Sequence, residues 1–361
     1  MILSMPFTTS DTTTCTLYLT GLLARWRVRR RSVSISGIAL WLACCCCAAQ
    51  VNAAAKPAAT AQPVIIDTDI GDDIDDALAV GLALSSPELK IVGITSAWGD
   101  TALRARMLDR LLSETGRSDI PVAVGIEKHS KGGGVFSQAR WAQRQPPREH
   151  PKAVDFLLEQ IRQRPGEITL ISLGPMTNLG AALDRDPETF KKLKRIVMMG
   201  GSVRRGYDDL GYLPTRGPEP EYNIAMDVEA AKKVFTSGVP LYVMPLDSTQ
   251  LKLDETKREL LFTQSTDLTD AIALLYLQWS RQTKNQTPTM FDAVAVAYAI
   301  DPTVCPVEPL RLRVDDQGYT REESGAANTF VCLRSDSDNF FGFYMPRLLE
   351  QKLHGSGSLL P

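Results

Sequence analysis

The chain has 361 residues, 44% of them hydrophobic and 23% charged, with a formal net charge of −2. That balance excludes a disordered chain, and the lack of a long basic run beyond the N-terminus argues against a groove that tracks nucleic-acid phosphates. The length allows one large domain or two medium ones, and a large α/β domain could bury a sizeable core. At the N-terminus, Arg25, Arg27, Arg29, Arg30 and Arg31 precede an apolar run over 35–49, and Val51 and Ala53 then suit a small-residue cleavage site. Basic, apolar, small is the layout of a secretory leader. The apolar run of 15 residues is short of the roughly 20 that a spanning helix needs. Residues 1–53 are therefore expected to be a leader, 54–63 an Ala/Pro-rich tether and 64–361 the folded domain. The product would be exported to a periplasmic or extracellular space, with no stable membrane span once the leader is cleaved. Five of the seven cysteines lie in the leader; Cys305 and Cys332 remain and could pair in an oxidising compartment. The leader holds five Arg and one Asp, so the rest of the chain carries a net charge of −6.

Beyond the tether, VIID (64–67) reads as a short buried strand. Ile74, Ala77, Leu78, Gly81 and Leu82 then recur at helical spacing. Strands are predicted over 90–95 and 121–124, with a helix over 103–112 between them. A polar loop follows, marked by Lys131-Gly132-Gly133-Gly134 and Gln145-Pro146-Pro147. Helices over 153–161, 178–183 and 228–235 alternate with strands over 168–173, 195–199 and 241–244. Helices over 268–279 and 292–300 come next, then strands over 311–314 and 330–333 and a last helix over 340–349. No internal repeat and no second linker interrupt the series. Continuous apolar strands alternating with helices predict a single α/β domain, an open and mainly parallel sheet with helices on both faces. In such sheets ligands sit beyond the carboxyl ends of the strands, which here means 67–76, 98–100, 174–178, 199–202 and Asp247.

The first of those places is crowded with acid. Asp67, Asp69, Asp72, Asp73, Asp75 and Asp76 fall within ten positions. Asp67 and Asp69, two apart at a strand end, face one way. Asp75 and Asp76 open the next helix, where unpaired N–H groups favour anions. Four or more carboxylates still repel and raise one another's pKa unless a cation neutralises them. All-oxygen donors suit Ca²⁺ or Mg²⁺; zinc is disfavoured, since the chain has three histidines and none lies near the cluster. A solvated, Asp-capped helix start is the bland alternative. A phosphoryl-transfer site on Asp67-Thr68-Asp69 is another, but there is no P-loop, no G-x-S-x-G elbow and no dinucleotide fingerprint.

The stretch VIIDTDIGDDIDDALA resembles the signature of the calcium-dependent nucleoside N-ribohydrolases, the inosine–uridine-preferring nucleoside hydrolase family. SLGPMTNLGAAL (172–183), IVMMGGSV (196–203), EYNIAMDVEAAKKVFTSGVPLYVMPLD (221–247) and FDAVAVAYAIDP (291–302) resemble its further motifs in the same order. The resemblance implies a one-domain α/β fold, a homo-oligomer, and hydrolysis of the N-glycosidic bond of a small-molecule ribonucleoside to ribose and free base. It implies Ca²⁺ as cofactor, bound by Asp69, Asp76, Asp292 and the main-chain carbonyl of Thr177. Asp69 would also be the general base on a Ca²⁺-held water. Asp75 would hold a ribose hydroxyl, Met199 would pack near the ribose, and Asp67 would support the turn. Glu221 and Asn223 flank Tyr222; in an extended segment both would face one side and grip the sugar. Asp100 stands where many members have a ribose-contacting Asn, and Thr215 lies near the place of another. Phe291 stands where many members have a His that protonates the leaving base. Tyr222, Trp279 and His129 remain as donors. His150 reads as a solvated loop histidine, and Arg140 and Trp141 could stack on a base. The departure at Phe291 motivates a competing expectation, a non-catalytic or weakly catalytic nucleoside- or sugar-binding protein.

Overall fold

In the computed structural model, VIID lies in β1 (Gln62–Thr68), whose last five residues are buried. The structure describes residues 61–128, 136–212 and 216–351. The expected leader, most of the tether, His129 and Thr215 lie outside them. β2 (Leu89–Ser96), β3 (Val122–Ala123), β4 (Thr169–Ser172), β5 (Arg195–Met199) and β6 (Leu241–Met244) run parallel to β1. β7 (Glu308–Val314), β8 (Thr320–Glu323) and β9 (Thr329–Val331) complete the sheet, in the order β3-β2-β1-β4-β5-β6-β9-β7-β8. β9 continues the parallel run beside β6, while β7 is antiparallel to β9 and to β8. β8 was absent from the sequence expectation. Its TREE sequence has no apolar run, and ion pairs such as Arg313 with Glu323 tie it to β7.

Alternation splits β1 between two cores: Val64 and Ile66 join one face of the sheet and Ile65 the other. The first face is covered by α1 (Asp75–Leu84) and α2 (Thr101–Glu114), the second by α3 (Ala153–Gln163), α4 (Thr177–Arg185) and, beyond the short α5 (Tyr222–Ala225), α6 (Val228–Phe235). α7 (Asp267–Thr283), α8 (Phe291–Ile300) and α9 (Ser337–Leu349) return to the first face. All ten residues of α1 are buried, as are eight of the ten in α8. Helices apolar all round belong inside, and these two pack on each other. A disulfide joins Cys305, just beyond α8, to Cys332 at the end of β9. No helix among the described residues is long and apolar enough to cross a membrane.

The order 3-2-1-4-5-6 has a consequence for function. β2 lies to one side of β1 and β4 to the other, so the chain switches direction between β1 and β4 and a crevice opens beyond their carboxyl ends. The acidic turn starts there.

Candidate active site

Asp67 pairs in register with Thr95 of β2 and Ser172 of β4, which buries it completely. Its Oδ1 accepts hydrogen bonds from the Thr95 hydroxyl and, at 2.7 Å, from Asn178 Nδ2. Burial still pushes its carboxyl up to about 6. Asp67 thus braces three elements and faces away from the crevice. Asp69, one step past the strand, turns toward Gly174 after β4. A Cβ at Gly174 would lie 2.6 Å from Asp69 Oδ1, so only glycine leaves room for the carboxylate. Burial raises Asp69 to about 7; Arg104 opposes the shift and Asp72 adds to it.

The two buried helices meet at their starts. Carboxylate oxygens of Asp75 and Asp76, in the first turn of α1, and of Asp292, in the first turn of α8, lie within 4.8 Å of one another. Asp76 accepts a hydrogen bond from the Thr68 hydroxyl. Two helix N-termini therefore point at one cluster, which favours anions there. Burial first, and mutual repulsion second, still hold all three carboxyls well above their ordinary range. Such crowding is the state that a cation relieves.

These carboxylates form the floor of a cavity of about 450 Å³, lined also by Leu173, Met199, Glu221 and Asn223. Glu221 is not in an extended segment with Asn223, as the sequence had suggested. It caps the short helix α5, accepting from Asn223 N at 2.9 Å and, across the site, from Gly201 N at 2.8 Å. Burial raises it to about 7 against those bonds. Asn223 donates from Nδ2 to the carbonyls of Leu173 (2.8 Å) and Met199 (3.2 Å). A capping turn, rather than strand alternation, is what brings both side chains to the cavity. The opposite wall is aromatic: Tyr207, Tyr222, Trp279 and Phe291. Tyr207 packs edge-on against Phe291 with centroids 6.3 Å apart, and its hydroxyl accepts from Tyr222 N at 3.0 Å. Phe291 thus sits in the cavity wall with no proton to give.

Asp69, Asp75, Asp76, Met199, Glu221, Asn223 and Asp292 are therefore gathered as expected, and Tyr222 and Trp279 join them. Asp100 is not. It is exposed and caps α2, accepting from Leu103 N at 2.9 Å, a position the turn into that helix dictates. Thr177 opens α4 outside the cavity wall, with its hydroxyl donating to Asp227 at 2.6 Å. His150 is buried beside Asp109, and Trp141 is buried beneath the Arg110 guanidinium, 4.2 Å from its ring, so neither faces the site. The sequence reading missed Arg104 and Tyr207. Arg104 did leave a signal: it lies on the stripe of Met107, Leu108 and Leu111, where a charge is out of place. A larger cavity, about 1000 Å³, opens at the amino ends of β1 and β2 among Ala61, Lys90, Arg117 and Arg347. Among the described residues it has no buried acid cluster, and it lies at the end of the sheet where such folds do not bind ligands.

Comparison with known proteins agrees with this geometry. The family model described as inosine-uridine preferring nucleoside hydrolase matches residues 64–342. Uridine nucleosidase 1 of Arabidopsis thaliana is 37% identical over 209 residues, covering 54% of this chain and 59% of that protein. A pyrimidine-specific ribonucleoside hydrolase of Citrobacter koseri is 35% identical over 220 residues, covering 55% of this chain and 65% of that protein. The chain thus aligns with about three fifths of the length of these curated relatives. Among solved structures, a plant nucleoside hydrolase superposes with a TM-score of 0.68 at 26% identity, covering 80% of this chain and 99% of that one. Sheet order, acidic floor and family match converge: the chain belongs to the inosine–uridine preferring nucleoside hydrolase family.

Proposed function

We propose that the protein hydrolyses the N-glycosidic bond of ribonucleosides, giving ribose and a free base. The observation that carries this reading is the single cavity in which Asp69, Asp75, Asp76, Asp292, Glu221 and Asn223 converge opposite an aromatic wall. The acid cluster offers only oxygen donors, and no His or Cys among the described residues lines the cavity, which suits a hard cation. We take that cation to be Ca²⁺, held by Asp69, Asp76 and Asp292, with the carbonyl of Thr177, a residue behind the cavity lining, as the further ligand that the family resemblance implies. When bound it would neutralise these carboxylates and give ribose hydroxyls and water a common anchor. Asp69 takes the proton of the attacking water as general base. Asp75, Glu221 and Asn223 hold the ribose hydroxyls, and Met199 packs against the sugar. The C1′–N bond breaks with its electron pair going to the base, which takes up a proton from solvent water; the oxygen of the attacking water bonds C1′, and nearby carboxylates stabilise the oxocarbenium-like charge. The names of the two curated relatives favour pyrimidine nucleosides such as uridine.

The test is ribose release from uridine, cytidine, inosine and adenosine, before and after exhaustive chelation and Ca²⁺ add-back. Release that chelation abolishes and Ca²⁺ restores is expected. Phe291 favours one second reading, a binder that turns over weakly; tight calorimetric binding without ribose release would select it. We further infer that the chain is exported, on the leader-like residues 1–53 and the Cys305–Cys332 bond, and that it works as a homo-oligomer. Cell fractionation and sedimentation test these two points.

A further inference from the structure

Arg104 is only 2% exposed, yet the side chain it pairs with directly, Asp72, is half exposed. α2 drives its guanidinium inward along with Met107, Leu108 and Leu111. Every arm of the fork is used. Nε donates to the Trp98 carbonyl at 2.8 Å. Nη1 donates to the carbonyls of Asp69 and, at 2.9 Å, Ile70, and Nη2 pairs with Asp72 at 2.8 Å. The Phe136 ring covers the group, its centroid 4.9 Å from the guanidinium carbon. The backbone makes room for this lid: Gly71 has φ +132°, and a Cβ there would lie 2.7 Å from the Phe136 ring. Ser137 and Gln138 close the same turn by donating to the carbonyls of Gly71, Asp72 and Asp73.

A surface salt bridge needs none of this; three of the four acceptors are main-chain carbonyls, so the guanidinium specifies backbone shape. With the carbonyls of Asp69 and Ile70 held toward Arg104, the Asp69 side chain is left to face Gly174 and the cavity. We propose that Arg104 is the positioning residue of this site: it holds residues 69–72 in their bound shape, so that a cation meets a preformed turn. The proposal rests on the cation reading above and concerns how the site is built.

The test is calorimetric titration of the chelated, full chain with Ca²⁺, alongside ribose release at saturating Ca²⁺. Arg104→Lys keeps the charge and loses the fork. Its Ca²⁺ dissociation constant should rise about 10- to 100-fold, as is usual when support behind ligands is lost, while kcat at saturating Ca²⁺ largely recovers. Asp72→Asn, at a side chain that is half exposed, should fold normally and shift the constant the same way by less. An unchanged constant in Arg104→Lys overturns the proposal. So does a misfolded Arg104→Lys beside an Asp72→Asn variant that binds like wild type, because Arg104 would then serve stability alone. A wild-type chain that takes up no Ca²⁺ overturns the cation reading itself, before any substitution is compared.

Discussion

Asp109 and Asp69 are both buried carboxylates on the same side of the sheet, 5% and 7% exposed, and they live in opposite electrostatic worlds. Asp109 is gripped by the Arg148 fork at 2.5 and 2.9 Å. His150 Nε2 lies 3.0 Å from it, near enough for an ion pair on protonation though not aligned as a hydrogen bond. Asp69 shares its site with Asp75, Asp76 and Asp292, and the nearest cation, Arg104, is spent on main-chain carbonyls and Asp72. Burying a charge is costly unless it is paired. A carboxylate that arrives with its partner is part of the scaffold. A set that arrives without one marks a place where the partner comes from outside.

The same chemical change should therefore act oppositely at the two places. The largest effect is expected for Asp69→Asn: kcat for ribose release should fall about 10²- to 10⁴-fold, the usual range for losing a general base. In chelated protein at alkaline pH its melting temperature should rise, because a buried repelling charge is gone. Near-native turnover would end the general-base assignment. Asp109→Asn comes next. It should lower stability by roughly 1–3 kcal/mol, since the Arg148 fork loses its charged acceptor, with ribose release unaltered at a permissive temperature. Urea unfolding measures the first and kinetics the second; equal losses of activity at both sites would erase the distinction.

The smallest effect is a pH slope. Asp69 and Glu221 keep their protons up to about 7 in the folded, metal-free chain, whereas unfolded they release them near 4. Between those limits the folded state binds more protons, so its stability falls as pH rises. Chelated protein should melt progressively lower from about pH 4 to pH 7, and saturating Ca²⁺ should remove most of that slope. A chelated chain that gains stability over this range would show that the carboxylates are balanced from within.

Much of this was legible in the sequence. The strands from VIID to Leu241–Met244 announce themselves as short apolar runs because both faces of a parallel sheet are buried. The acidic turn is conspicuous because six aspartates follow such a strand. Other features were hidden for physical reasons. β8 is a polar edge strand, so it lacks the apolar run by which a buried strand is read. Glu221 and Asn223 reach the cavity through a helix cap, a geometry that side-chain alternation does not describe. Asp100 resembles a ligand-binding residue by position but is committed to an N-cap by the turn into α2. Arg104 could have been flagged as a charge on an apolar stripe, though its acceptors are backbone atoms that carry no sequence signal.

The sequence by itself determined the layered α/β architecture and the strand end at which acid accumulates, because burial and local periodicity are properties of neighbouring residues. Which aspartate does what was decided only by tertiary structure. Asp67 is turned aside by Thr95 and by Asn178, 111 positions away. Asp72 is claimed by Arg104, and Asp75 and Asp76 are brought to Asp292 by the packing of two buried helices. Chemically identical side chains differ in role because their surroundings differ, and for Asp67, Asp72, Asp75 and Asp76 those surroundings include residues from distant parts of the chain.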